Sequence, residues 1–206
     1  MAHTSDPFFR TFHALRIKGF AKSETIAEVA DLPCTIVDEH LAGLQDRQWA
    51  MFREARQLWQ LTPVGRDQHG VALAEDVGVG GLRNALRLPY VSFLQLNERF
   101  KVLCGAWQLK AGEPNDHSDA SYDGGVVTQL VGLNEEAIPV VASMGAVLDR
   151  LAPYGPRLAN TCKRVMNGEA NMFTGVLCGS YHDVWMELHE DLILSQGIDR
   201  NREGSF

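Results

Sequence analysis

The densest set of chemically capable side chains lies near the C-terminus. His182 and His189 are seven residues apart, which places both on one face of a helix. Asp183, Glu187, Glu190 and Asp191 form an adjacent acidic face, and Tyr181, Trp185, Leu188 and Leu192 an apolar stripe. Imidazole and carboxylate suit zinc or iron, so a metal here would draw on His182, Glu187 and His189. The HExxH spacing that sets two histidines one turn apart is absent. The plainer reading is a half-buried helix with a solvated acidic side, and we expect no metal and no cofactor.

A second group is the run Asn115-Asp116-His117-Ser118-Asp119, followed by Tyr122 and Asp123. His117 could serve as a donor or general base oriented by an aspartate. The same residue types also build Asx turns, with Ser118 or Asp119 capping the next helix. Asn97 falls near the apolar stripe of Phe93, Phe100 and Trp107, and an inward amide needs partners. It either fixes a neighbouring helix or holds a polar ligand group. These segments define a candidate ligand pocket with polar contacts from Asn97, His117 and His182 and aromatic walls from Trp107, Tyr181 and Trp185. Ordinary core packing is the alternative for both tryptophans. Gly78-Val79-Gly80-Gly81 lacks the strand-helix context and the lysine of a phosphate loop, no serine nucleophile elbow occurs, and no catalytic residue is assigned.

The elements that must position these groups are mainly helical. Phe8, Phe9, Phe12 and Leu15 follow helical spacing from Pro7 to Gly19, with Pro7 in the first turn. Ser23 is the expected N-cap of a second helix, whose stripe is Ile26, Val29 and Ala30. Leu32-Pro33 opens a third, ending near Gln48, with Val37, Leu41 and Leu44 inward and Thr35, Asp38, Glu39, Ala42, Gln45 and Asp46 outward. Two strand-like runs, 49–52 and 58–61, flank a hairpin tip at Arg53-Glu54-Ala55-Arg56, and Pro63 starts another helix. The glycines at 78, 80 and 81 divide a domain over residues 1–78 from an all-α domain over 79–206. In the latter, the spacing predicts a helical region from Leu82 that pauses at Pro89, then a long helix to Trp107. A polar loop follows from Lys110 to Ala120. Further helices are expected over about 122–151 with a kink at Pro139, over 156–167, and over 180–196 with Gly197 as the stop. The fold class is mainly α: a winged helix-turn-helix with a two-stranded wing, followed by a helical domain for ligand binding and dimerisation.

At 206 residues the chain can bury a full core. No run of 18 apolar residues suggests a membrane span, and the first residues lack the basic and apolar regions of a signal peptide. The four cysteines are scattered without metal spacing, which with the rest points to a reduced, cytoplasmic setting. The net charge is −7. Residues 1–70 hold 8 basic and 9 acidic side chains, whereas 71–206 hold 11 and 17. The basic footprint of a dedicated nucleic-acid binder is therefore missing from the first domain.

The phrase Leu58-Trp59-Gln60-Leu61-Thr62-Pro63-Val64-Gly65-Arg66 after the hairpin resembles the second wing strand and following helix of MarR-type winged-helix regulators. The whole chain is similar to a group of actinobacterial MarR-like proteins with a shared helical second half, matched by Asn115–Asp119 with Tyr122-Asp123 and by Ser180–Leu192. The resemblance implies a homodimer that binds palindromic DNA and releases it on taking up a small aromatic ligand. The DNA contacts expected from the residues are hydrogen bonds from Thr35, His40 and Gln45 and phosphate contacts from Arg47, Arg53 and Arg56. The third helix departs from the regulator pattern in presenting Asp38, Glu39 and Asp46, which a phosphate backbone repels. A scaffold that has lost DNA binding, and binds or transforms a small molecule, is the alternative.

Overall fold

The computed structural model of the chain describes residues 1–198. The first helix, α1 (Pro7–Lys18), is started by Asp6, whose carboxylate accepts from the backbone N–H groups of Phe8 and Phe9, and is stopped by Gly19 at φ +71°. A two-residue strand, β1 (Phe20–Ala21), follows, then α2 (Ser23–Ala30) and α3 (Cys34–Asp46). The N-cap of α2 is Lys22, with no side-chain bond, and the expected cap Ser23 is the first helical residue. Strands β2 (Ala50–Arg53) and β3 (Leu58–Leu61) form the hairpin, and β1 adds to its far side in the antiparallel order β1-β3-β2. The third strand was not foreseen: two residues are too short to show a period, and only pairing of Phe20 and Ala21 with Gln60 and Trp59 makes them a strand.

Phe12, Leu15, Ile26, Val37, Leu41, Leu44 and Leu61 close a small core beneath this sheet. The i, i+4, i+7 positions of α3 are fully buried, so its other face is turned to solvent. Helix α4 (Pro63–Val77) begins at Thr62, whose hydroxyl accepts from the Gly65 N–H at 2.9 Å. At Gly65 the helix passes so close to the end of α3 that a Cβ would lie 1.8 Å from the Trp49 carbonyl oxygen.

Among the described residues, the second half is helical apart from one small hairpin. Helix α5 (Leu82–Gln108) runs unbroken through Pro89, where a pause was expected, and α6 (Ala120–Gly145) runs unbroken through Pro139. Neither proline ends its helix, because the apolar stripes on both sides of it pack against the same core. The segment expected as loop between them holds a short hairpin, β4 (Leu109–Lys110) with β5 (Glu113–Pro114), before Asp119 caps α6. A 3-10 turn (Asp149–Leu151), α7 (Tyr154–Met166), the one-turn α8 (Asn171–Thr174) and α9 (Tyr181–Gln196) complete the described chain. Helix α9 is capped by Ser180 and stopped by Gly197. The large core is built on Phe93, Phe100, Leu130, Met144, Leu158, Trp185 and Leu188, and it also takes in Phe9 of α1 and Leu73 and Val77 of α4. No helix of the described residues is long and apolar enough to cross a membrane.

Candidate functional site

Among the described residues, the polar side chains singled out in the sequence fall on two surfaces, a line of buried rings and one buried junction. The first surface is the outward face of α3 with the β2-β3 hairpin. Thr35, Asp38, Glu39, Gln45 and Asp46 are exposed, as are Arg53 and Arg56 at the hairpin. The Gln60 amide oxygen, turned toward Arg53, accepts from Nε and a terminal nitrogen at 3.1 and 2.9 Å. His40 lies instead on the side of α3 that meets α1: its Nδ1 pairs with the Thr11 hydroxyl at 2.8 Å and its ring edge meets Phe8. Arg47 lays its guanidinium over Phe8 and Trp49, 4.7 and 5.3 Å from the ring centres.

The second surface is the loop before α6. His117 takes a left-handed backbone (φ +58°), and its Nδ1 meets an Asp123 carboxylate oxygen at 2.9 Å. The Asn115 amide donates to the other Asp123 oxygen and to the Trp107 carbonyl. The His117 ring then packs at a tilt against Trp107, with ring centres 4.5 Å apart. Asp119 accepts from the N–H groups of Ser121 and Tyr122, the capping role expected of it.

From Trp107 a line of rings runs inward. Trp107 meets Phe173, which meets Phe100, which meets Tyr181, His182 and Trp185. Trp185 donates its indole N–H to Asn97 Oδ1 at 2.9 Å. Asn97, Trp107, Tyr181 and Trp185 are all core residues, and Asn97 keeps a buried amide nitrogen with no partner. The six residues of the expected pocket thus belong to one chain of side-chain contacts. The cavities described below are lined by none of them.

The junction departs furthest from the pattern expected of the sequence. The acidic side of α9 does not face water. Glu187 is 7% exposed and shared by Lys18 of α1 and Arg157 of α7, each at 2.6 Å. Asp191 is 2% exposed. It receives the Arg150 guanidinium, the Ser195 hydroxyl at 3.1 Å and the Tyr154 hydroxyl at 3.3 Å. Arg150 also donates to Ser195 and lies 3.5 Å from Asp76 of α4, which in turn holds His3 and Ser5. His13 of α1 sits between Asp191 and His69 of α4, with its Nε2 3.1 Å from Asp191 and its Nδ1 2.9 Å from the His69 Nε2.

Burial fixes the charges here. Burial first, and then the neighbouring Arg150, lowers the His13 pKa, and burial first, with His13 and Arg16 beside it, takes His69 down to about 2. Both rings are therefore neutral. Burial alone would raise the Asp191 carboxyl, but Arg150 and His13 outweigh it and hold it below the ordinary range. Two proton arrangements satisfy the chain. Either Arg150 donates to His13 Nε2 and His13 Nδ1–H donates to His69, or His13 Nε2–H donates to Asp191 and His69 Nε2–H donates to His13. The gap beside these groups, about 10 Å³, is the size of one water. The junction thus ties α1 and α4 to the 3-10 turn, α7 and α9.

Comparison with known protein families, with curated proteins and with solved structures finds no match for this chain.

Proposed function

We propose that residues 7–77 are a winged helix-turn-helix and that the chain is a ligand-responsive, MarR-like regulator that binds DNA as a homodimer. The observation that carries this reading is the order α1-β1-α2-α3-β2-β3 with the sheet order β1-β3-β2. It leaves one face of α3 and the tip of the β2-β3 hairpin free side by side in sequence, the parts that such a module sets in the major groove and on the backbone. Thr35 and Gln45 then read base edges, and Arg53 and Arg56 hold phosphates. His40 acts from behind, through Phe8 and α1, to hold α3 in place, while Arg47, exposed beside Phe8 and Trp49, adds a phosphate contact. The buried junction transmits the state of the helical half, because α1 and α4 carry its histidines and Asp76.

A second reading has its own support. The free face of α3 carries Asp38, Glu39 and Asp46 and no lysine or arginine. It favours a winged-helix scaffold that keeps its helical half for a small molecule and has given up DNA. Mobility shift at low salt, with the DNA upstream of the chain's own gene and with an unrelated duplex, separates the two. Retardation of the first duplex at lower protein concentration supports the regulator. No retardation of either removes it and leaves the scaffold.

A further inference from the structure

The largest cavity described lies in none of the places just discussed. It is a cleft of about 830 Å³ between α1, α2 and the α2-α3 turn on one side and the 3-10 turn and α7 on the other. Its volume falls in the range of small-molecule sites. Leu32 and Pro33 on one side, and Ala152, Pro153 and Pro156 on the other, give it an apolar wall. Arg10 and Arg157 also line it, with Glu28, Asp31 and Asp149.

The ion pairs in the cleft are loose. Arg157 Nε lies 3.6 Å from Glu28, and a terminal nitrogen of Arg10 lies 3.4 Å from both the carboxylate and the carbonyl of Asp31. The Nε–H groups of Arg10 and Arg157 are buried without an acceptor. A buried donor left unpaired is costly, and a small turn of either guanidinium toward a carboxylate in the cleft would satisfy it. Glu28 and Asp31, by contrast, are 67% and 68% exposed along their side chains, so each can swing to a new partner at little cost. Behind the cleft, Arg10 also borders the water-sized gap beside His13, Arg150 and Asp191.

The two charge types, the apolar wall and the size together select the ligand. A simple anion would meet three carboxylates, and a simple cation two guanidiniums. We infer that this cleft binds a short zwitterionic peptide, two or three residues with apolar side chains. Its terminal carboxylate lies on the Arg10 and Arg157 edges, and its ammonium lies on Glu28 and Asp31. In doing so it replaces the Arg157–Glu28 pair, a direct link between α7 and α2. The inference deepens the regulator reading by naming its effector. It is tested on the free chain, so that failure to bind DNA leaves it standing.

The test is calorimetric titration of the full chain with Leu-Leu, with N-acetyl-Leu-Leu, which lacks the ammonium, and with Leu-Leu amide, which lacks the carboxylate. Saturable binding of Leu-Leu is expected, weakened about tenfold (about 1.4 kcal/mol) by either block. Arg10→Gln and Arg157→Gln should each weaken it by about as much. Loss of Arg157 also leaves Glu187 with one partner fewer, so Glu28→Gln with Asp31→Asn provides an exposed variant that keeps the fold. It should weaken Leu-Leu while leaving the ammonium-free acetyl peptide no weaker, because the change also removes the carboxylates that compete for Arg10 and Arg157. Absence of saturable heat with Leu-Leu overturns the inference. So does equal binding of all three peptides.

Discussion

His13 and His69 stack with ring centres 5.1 Å apart, joined by a 2.9 Å nitrogen–nitrogen hydrogen bond, and both are almost wholly buried. Neither can take up a proton without bringing a charge beside Arg150. In the unfolded chain both protonate near the ordinary 6.5. The unfolded state therefore binds more protons than the folded state below that pH, and stability falls as pH falls. Each histidine contributes up to about 1.4 kcal/mol per pH unit, or about 2.7 for the pair. The window opens near 6.5 and for His69 extends to about 2. Asp191, with its lowered pKa, adds loss in the same direction once the pH drops into the carboxylate range. Urea unfolding at a series of pH values should show stability already declining between pH 6.5 and 5. A flat profile there would mean that the histidines are charged in the fold. His69→Phe should remove about half of the early slope.

Arg150 and Asp191 exemplify a buried pair that costs more to break than to replace. Removing either partner strands the other charge in a site where both are nearly inaccessible. Asp191→Ala or Arg150→Met alone is expected to cost about 3–5 kcal/mol. The double change Arg150→Met with Asp191→Leu should cost less than the sum of the singles by at least about 1 kcal/mol. Denaturant midpoints of the three variants check this. Strict additivity would show that the two side chains act independently.

Much of the helical frame was legible because its signals are local. The stripe Val37, Leu41, Leu44 fixes α3, and Ser180 with Gly197 fixes both ends of α9. Pro89 misled because a lost backbone bond is a local cost, whereas the packing that outweighs it involves residues far along the chain. The acidic face of α9 misled for the same reason. Its partners Lys18, Arg157 and Arg150 stand 169, 30 and 41 residues away, and nothing near Glu187 or Asp191 announces them. Of the expected pocket, helical spacing placed Asn97 on the stripe of Phe93, Phe100 and Trp107, but its bond to Trp185, 88 residues away, has no local signal. That the rings pack on one another was not readable, because a core face and a pocket face have the same composition.

Gly65 and Gly70 lie on one helix, yet replacement by alanine should act in opposite directions. At Gly65 the new methyl would strike the Trp49 carbonyl, a backbone atom at the end of the α3-β2 connection that cannot turn aside. At Gly70 nothing lies within 4 Å, and the residue is exposed in mid-helix. Gly70→Ala should stabilise by about 0.5–1 kcal/mol through helix propensity alone. Gly65→Ala should destabilise by at least about 1–3 kcal/mol, the usual cost of overpacking. Thermal melts suffice, and a Gly65→Ala protein as stable as the parent would show that α4 can shift away from the hairpin.

The charge pattern of α3 makes the DNA proposal quantitative. Asp38, Glu39 and Asp46 are exposed on the face meant for the groove. A unit charge about 10 Å from a phosphate in water is worth about 0.4 kcal/mol. Neutralising all three, with Asp38→Asn, Glu39→Gln and Asp46→Asn, should therefore tighten DNA binding about fivefold to tenfold at low salt. The gain should fade toward physiological salt, where the Debye length is about 8 Å. Arg53→Ala with Arg56→Ala should do the reverse. It removes two phosphate contacts and flattens the salt dependence of the affinity by up to about two counterions. The two sets are read together in one mobility-shift series across salt concentrations. Tighter binding from the first set and a flatter slope from the second place the duplex against both α3 and the hairpin. If neutralising α3 leaves the affinity unchanged while the arginine variant loses it, the DNA lies on the hairpin alone. If neither set matters, the duplex is held elsewhere and this module does not read it.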